Sequence, residues 1–182
     1  MNLRTKSNYK ITNAISFLMS FSSALVFVFL PLYFYHVGVN LVNIGVIVAI
    51  SVVATNIVKL IAGSFVDHYD RRNIMLVGGI IMALTNLSLA FFVSETFFIL
   101  RGIAYGIGAA IFYPAYISYV WDISVKRRLS TFGAIRSTYR HLGLILAPLI
   151  GGLIIYLSGF ITLFYTSFIV GILTMGLLFM LT

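Results

Sequence analysis

Residues 42–72 read VNIGVIVAISVVATNIVKLIAGSFVDHYDRR: an apolar run up to Val66 interrupted by one cation, Lys59, then a short polar turn closing on Arg71 and Arg72. A hydrocarbon core needs about 20 consecutive apolar residues per helix, and the run from Val42 to Val66 meets that length. So do the stretches Ile11 to Tyr35, Ile74 to Val93, Phe97 to Val120, Leu129 to Leu157 and Phe160 to Leu181. The spacing predicts an all-α membrane protein with six transmembrane helices, joined by links of a few residues and occupying residues 1–182 as a single domain.

Composition agrees with the spans. A chain of 182 residues that is 61% hydrophobic and 9% charged, with a mean hydropathy of +1.08, has too little polar surface to cover a water-soluble globule. The absence of cysteine excludes disulfides, thiolate metal sites and a cysteine nucleophile. The N-terminal MNLRTKSNYK is basic, the apolar run behind it is too long for a signal peptide and no small-residue cleavage site follows, so a retained first helix is expected. No cofactor and no metal site is expected.

The cations alternate between links. Arg4, Lys6 and Lys10 precede the first span, Arg71 and Arg72 join the second to the third, and Lys126, Arg127 and Arg128 join the fourth to the fifth; HVGVN, SET and SG carry no Lys or Arg. Cytoplasmic loops concentrate Lys and Arg, so a multi-pass protein of the plasma membrane with both termini in the cytoplasm is expected. The net charge of +8 is then a topology and lipid-headgroup signal rather than a sign of nucleic-acid binding.

The link between the second and third spans, Gly63-Ser-Phe-Val-Asp67-His68-Tyr-Asp70-Arg71-Arg72, resembles the major facilitator signature Gly-x-x-x-Asp-(Arg/Lys)-x-Gly-(Arg/Lys)-(Arg/Lys). Gly63, Asp67, Arg71 and Arg72 match; His68 replaces a permanent cation, and Asp70 replaces a turn glycine at an expected conformational cost. Gly63 would admit a neighbouring helix, and Asp67 would pair with Arg71 or meet a helix N-terminus. An ordinary basic turn is the plain alternative. The fifth span contains Gly143-Leu-Ile-Leu-Ala147-Pro148-Leu-Ile-Gly151-Gly152, which is similar to the family's antiporter motif Gly-x-x-x-Gly-Pro-x-x-Gly-Gly. Gly143, Ala147 and Gly151 fall at i, i+4 and i+8, a flat stripe for close packing, and Pro148 leaves the Leu144 carbonyl without a donor, so a bend is expected there.

Asp122 closes the fourth span where the family often places a carboxylate that joins Asp67 and Arg71. A weak echo of Phe29-Leu-Pro31-Leu-Tyr33 in Phe112-Tyr-Pro114-Ala-Tyr116 suits the nested three-plus-three inverted repeat of each family half. The resemblance implies the N-terminal six-helix half of a usually twelve-helix secondary transporter, similar to drug:proton antiporter-type members and moving a small organic solute by alternating access. It implies a second six-helix half as partner and export by antiport, with the coupling ion left open and protons as one candidate. Uptake symport, facilitated passage of a neutral or anionic metabolite, and a non-transporting scaffold remain as alternatives.

Ionisable groups inside a bilayer are costly and mark pathways. Within the spans they are Lys59, Arg101, Arg136 and Arg140. At about 1.5 Å per residue from Leu129, Arg140 lies roughly 16 Å deep, with Arg136 one turn away on the same face. Arg101 and Lys59 lie nearer span ends, where snorkelling to water is the alternative. No Asp or Glu falls inside a span, so a pathway here should favour neutral or anionic molecules. An intramembrane enzyme would need a nucleophile and base, for which Ser137 and His141 are the one arguable pair.

Overall fold

The computed structural model of the protein describes residues 3–66, 70–123 and 129–181. Asp67 and His68 of the first motif, and the Lys126, Arg127 and Arg128 triad, lie outside them. The helices are α1 (Leu3–Phe27), α2 (Leu30–His36), α3 (Leu41–Val66), α4 (Arg71–Ser88), α5 (Glu95–Ile123) and α6 (Leu129–Phe179). Among the described residues, four stretches are long and apolar enough to cross a membrane: Asn8–His36, Leu41–Lys59, Glu95–Ile123 and Thr131–Phe179.

Several span limits differ from the sequence expectation, each for a local reason. The first span is two helices, because Pro31 cannot donate to the Phe27 carbonyl; α1 stops at Phe27 and Pro31 takes the first turn of α2, where no N–H is required. α1 also starts at Leu3, so Arg4, Lys6 and Lys10 lie within it rather than before it. The third helix is displaced towards the basic link: α4 starts at Arg71, capped by the Asp70 carboxylate accepting from the Arg72 N–H at 3.3 Å, and ends at Ser88. Asp70 sits at φ −58°, ψ 116°, an extended conformation open to any residue, so replacing glycine costs nothing here. Its carboxylate at the N-terminus instead favours the helix.

Straight, the 49-residue stretch Thr131–Phe179 would extend about 75 Å, more than twice the roughly 30 Å of a hydrocarbon core. Gly159, at φ 81° and ψ 178°, breaks it into arms 129–158 and 160–179; helical geometry runs through Pro148 and fails only at this glycine. The contacts give each direction. Phe132 meets Tyr9, Gly143 meets Phe17 and Phe21, and Gly151 meets Leu25, so the first arm runs parallel to α1. Phe160 meets His36 while Ser167 meets Ser22, so the second arm runs back along it. Likewise α3 runs parallel to α5, with Asn43 on Glu95 and Ser51 on Gly102, and α4 runs antiparallel to α5, with Arg71 near Ser118 and Asn86 near Arg101.

Two apolar clusters fill the bundle. One gathers Phe34, Phe98, Leu89 and Phe164; the other gathers Met75, Phe112, Met175 and Leu178 at the opposite end. Val46 and Val53 of α3, with Ile145, Leu149 and Leu153 of α6, face outward.

Backbones approach most closely at glycines. A Cβ on Gly108 would stand 2.8 Å from the Gly78 carbonyl oxygen, and one on Gly78 2.7 Å from that of Gly108. A Cβ on Gly143 would stand 2.6 Å from the Phe17 carbonyl oxygen, and Ala147 is fully buried one turn on, so the small-residue stripe of the fifth span lies against α1. Gly108→Ala should therefore force α4 from α5 and cost about 1 to 3 kcal/mol. Gly45→Ala, with nothing within 4 Å of its Cβ, should melt at the wild-type temperature or slightly above. Thermal unfolding in detergent followed by circular dichroism compares the two; equal melting would remove the close approach as a constraint.

Candidate functional site

Three of the four intramembrane cations meet in one place. Lys59 of α3 and Arg136 and Arg140 of α6 line a cleft of about 460 Å³, together with Ser16 and Ser20 of α1 and Tyr113 and Tyr116 of α5. Arg136 and Arg140 are one helical turn apart and therefore share a face. The Arg136 guanidinium lies 5.8 Å from the centre of the Tyr116 ring. That ring is held from behind: its hydroxyl donates to the Thr12 carbonyl oxygen and lies 2.7 Å from the Ser16 hydroxyl. Among the described residues, no Asp or Glu lines the cleft.

Lys59 also opens onto a second cleft of about 220 Å³, walled by Phe27, Val48, Val52 and Tyr105 and reaching Ser51, Thr55 and Arg101. A third, apolar cleft runs from Lys59 past Tyr113 and Pro114 to Trp121. The lysine is thus the group common to all three.

Arg101 is placed differently. It does not snorkel; its residue is 7% exposed and fully engaged inside the bundle. Its Nε donates to the Thr85 carbonyl oxygen at 3.2 Å, its Nη2 donates to the Asn86 Oδ1, and its guanidinium lies 5.1 Å from the centre of the Tyr105 ring. The chain continues. The Asn86 Nδ2 donates to the Ser167 hydroxyl at 3.0 Å, the Ser167 hydroxyl donates to the Ser22 carbonyl oxygen at 2.9 Å, and the Ser22 hydroxyl donates to the Ser167 carbonyl oxygen at 2.8 Å. Four elements, α5, α4, α6 and α1, are joined by one buried polar chain. Ser23, next to Ser22, lines the smaller cleft together with Tyr105.

At one end of the bundle Arg71 pairs with Asp122 and also donates to the Ser118 carbonyl oxygen at 3.2 Å, tying the start of α4 to the end of α5. Arg72 donates to the Phe179 carbonyl oxygen at 3.0 Å and lies 5.0 Å from the Phe179 ring centre, a cation set against the negative end of α6. Gly63 falls within α3. Gly152, unlike Gly151, meets only the Phe29 ring tip at 3.8 Å. His141 donates from Nδ1 to the Ser137 carbonyl oxygen at 2.7 Å; a nitrogen that donates there cannot also deprotonate the Ser137 hydroxyl, so the pair is a polar helix face.

The polar residues Asn13, Thr55, Asn56, Asn86 and Ser88 in the spans are candidates for bonds between helices; Asn86 makes them, whereas the Thr55 and Ser88 hydroxyls bond carbonyls of their own helices. Ser22 and Ser167 did not stand out; each is an ordinary serine in an apolar run. The residues Arg101, Tyr105, Tyr113 and Tyr116 at helical spacing on α5 would have been the usable signal for the cleft wall.

Asn86→Leu should leave the guanidinium of Arg101 without its side-chain acceptor and cost about 2 to 3 kcal/mol. Ser88→Ala, whose hydroxyl bonds only the Thr85 carbonyl of its own helix, should cost less than about 0.5 kcal/mol. Paired thermal melts in detergent decide whether the buried chain holds the helices together.

The sequence model of the Major Facilitator Superfamily matches residues 12–182 of this chain. Multidrug resistance protein 2 of Bacillus subtilis (strain 168) is 29% identical over 119 residues, an alignment that covers 65% of this chain and 29% of that protein. The aligned part is thus less than a third of the relative's length.

Proposed function

This chain belongs to the major facilitator superfamily, which places it among membrane transporters and not among enzymes, and we propose that it forms the six-crossing half of a secondary transporter that exports a small organic solute by alternating access and antiport. The observation that carries this reading is the polar, cation-lined cleft between otherwise apolar helices. Ionisable groups at that depth need water, a partner or a solute, and a cleft between helices supplies room for one. In this reading a second six-helix half, whether on the same polypeptide or another, faces the cleft, and the segments before and after Gly159 count as separate crossings in a three-plus-three inverted repeat.

The end of the bundle bearing Arg71, Arg72 and Asp122 is proposed to face the cytoplasm of a plasma-membrane protein. There Gly63, Asp67, Arg71, Arg72 and Asp122 act as a latch that holds one conformation closed, and the Gly143, Ala147, Pro148, Gly151 and Gly152 segment lets the fifth crossing slide against the first. Two-state movement of packed helices is what such a latch would bias. One observation favours a second reading, in which the chain takes part in symport or facilitated passage. The described lining of the cleft has no carboxylate to exchange a proton for a cationic solute, so proton antiport need not be the coupling.

Two experiments test these proposals. The chain contains no cysteine, so single cysteines report sidedness directly: an impermeant maleimide added outside should label Ser94→Cys and miss Asn73→Cys, and the reverse pattern would end the orientation. Asp122→Asn, which removes the partner of Arg71, should lower solute flux in a reconstituted two-half assembly by about tenfold with little change in KM, since 1.4 kcal/mol in the closing equilibrium is a factor of ten. Unchanged flux reduces the pair to a structural tie.

A further inference from the structure

We propose that the solute is an amphipathic organic anion whose acid group is held by Lys59, Arg136 and Arg140 and whose apolar body lies across Phe27 and Val52 in the adjoining cleft; this rests on the transporter reading above and assigns its solute class. Three cations from two helices converge on a single cleft of about 460 Å³ whose described lining residues include no carboxylate. Cations that merely snorkelled would diverge towards water. Here Lys59 on α3 faces the same space as the two arginines on α6, and their mutual repulsion is relieved best by a negative charge placed between them.

The geometry also speaks to the kind of anion. Arg136 and Arg140 are neighbours on one helix face, about 6 Å apart at Cβ, so two planar forks address one acid group, which carboxylate, sulfonate and phosphate oxygens match in pairs. Arg136 already rests on the Tyr116 ring, and Ser20 adds a hydroxyl donor on the facing helix; the Ser16 proton is engaged by the Tyr116 hydroxyl. A neutral solute would displace water from three charges and leave them uncompensated, and a cationic one would add a fourth like charge. The second cleft, about 220 Å³ and walled by Phe27, Val48 and Val52, meets the first at Lys59. An anion with an apolar body fills both at once, its charge end fixed by the lysine they share.

That chemistry has two sources, a soluble organic anion or an anionic lipid. The test uses three ligands of one shape, 2-naphthoate, neutral 2-naphthamide and cationic 2-naphthylmethylamine, titrated calorimetrically into the chain in nanodiscs of phosphatidylcholine. Naphthoate should bind at least tenfold more tightly than the amide, and the amine should bind more weakly than either. The double variant Arg136→Gln, Arg140→Gln should remove the preference for naphthoate, while Phe27→Ala, exposed and so compatible with folding, should weaken all three about equally. Replacing part of the lipid with phosphatidylglycerol separates the sources: retained naphthoate binding assigns the cleft to a soluble anion, and competitive loss assigns it to lipid. Equal affinities, tightest binding of the amine, or no binding of any ligand overturns the proposal. Flux through the two-half assembly distinguishes this from the transporter reading: transport of the amide but not naphthoate sinks the anion assignment alone, whereas charge-selective binding without any flux sinks the transporter alone.

Discussion

Helices surrounded by lipid gain no hydrophobic advantage from touching one another, because the tails they leave are as apolar as the side chains they meet. What then holds this bundle is close backbone approach and buried hydrogen bonding, and the chain from Arg101 through Asn86 and Ser167 to Ser22 supplies the second for four elements at once. Its place is informative. Along α4, Asn86 lies between Met82 of one apolar cluster and Leu89 of the other; along α6, Ser167 lies between Phe164 and Met175. A polar layer between two apolar ones fixes the register of the helices, since sliding by one turn would separate an arginine from its acceptors in a medium without water.

The ends of the bundle are tied by different means. At one end two adjacent arginines do separate tasks: Arg71 joins the start of α4 to a carboxylate at the end of α5, and Arg72 reaches the Phe179 carbonyl at the end of α6. At the other end Glu95 accepts from the Asn43 side chain at 2.9 Å, joining the starts of α3 and α5. The first set carries an ion pair, Arg71 with Asp122, beside the arginine–carbonyl contact, and the second a hydrogen-bonded contact of exposed groups. Both lie outside the buried layer, which by itself keeps the helices in register.

Placing Arg101 within that layer separates it in role from the other three cations. Arg101 has its acceptors from Thr85 and Asn86 and is neutralised by dipoles rather than by a counterion, which suits a fixed structural group. Lys59, Arg136 and Arg140 line the larger cleft instead, whereas Arg101 reaches only the smaller one. The tyrosines of α5 stand between the two groups: Tyr105 faces Arg101, Tyr116 faces Arg136, and Ser23 of α1 lines the smaller cleft with Tyr105. One helix therefore presents a single polar edge to a structural cation at one level and to the cleft at another.

The apolar runs, the alternation of basic links and the two glycine-bearing motifs determined by themselves that the chain is helical, membrane-embedded and of major-facilitator type, because those signals are local in length and spacing. Hydropathy also marked the four cations worth following. It placed the helix limits less well, since the stop at Phe27 depends on where Pro31 falls, the start of α4 on the Asp70 cap, and the fold-back of α6 on one positive-φ glycine. Which cation is structural and which line the cleft was decided only by tertiary structure. Arg101 and Arg140 are the same side chain within predicted spans, and what makes Arg101 structural is the approach of Asn86 and Thr85 from another helix, a contact between residues whose proximity no local pattern encodes.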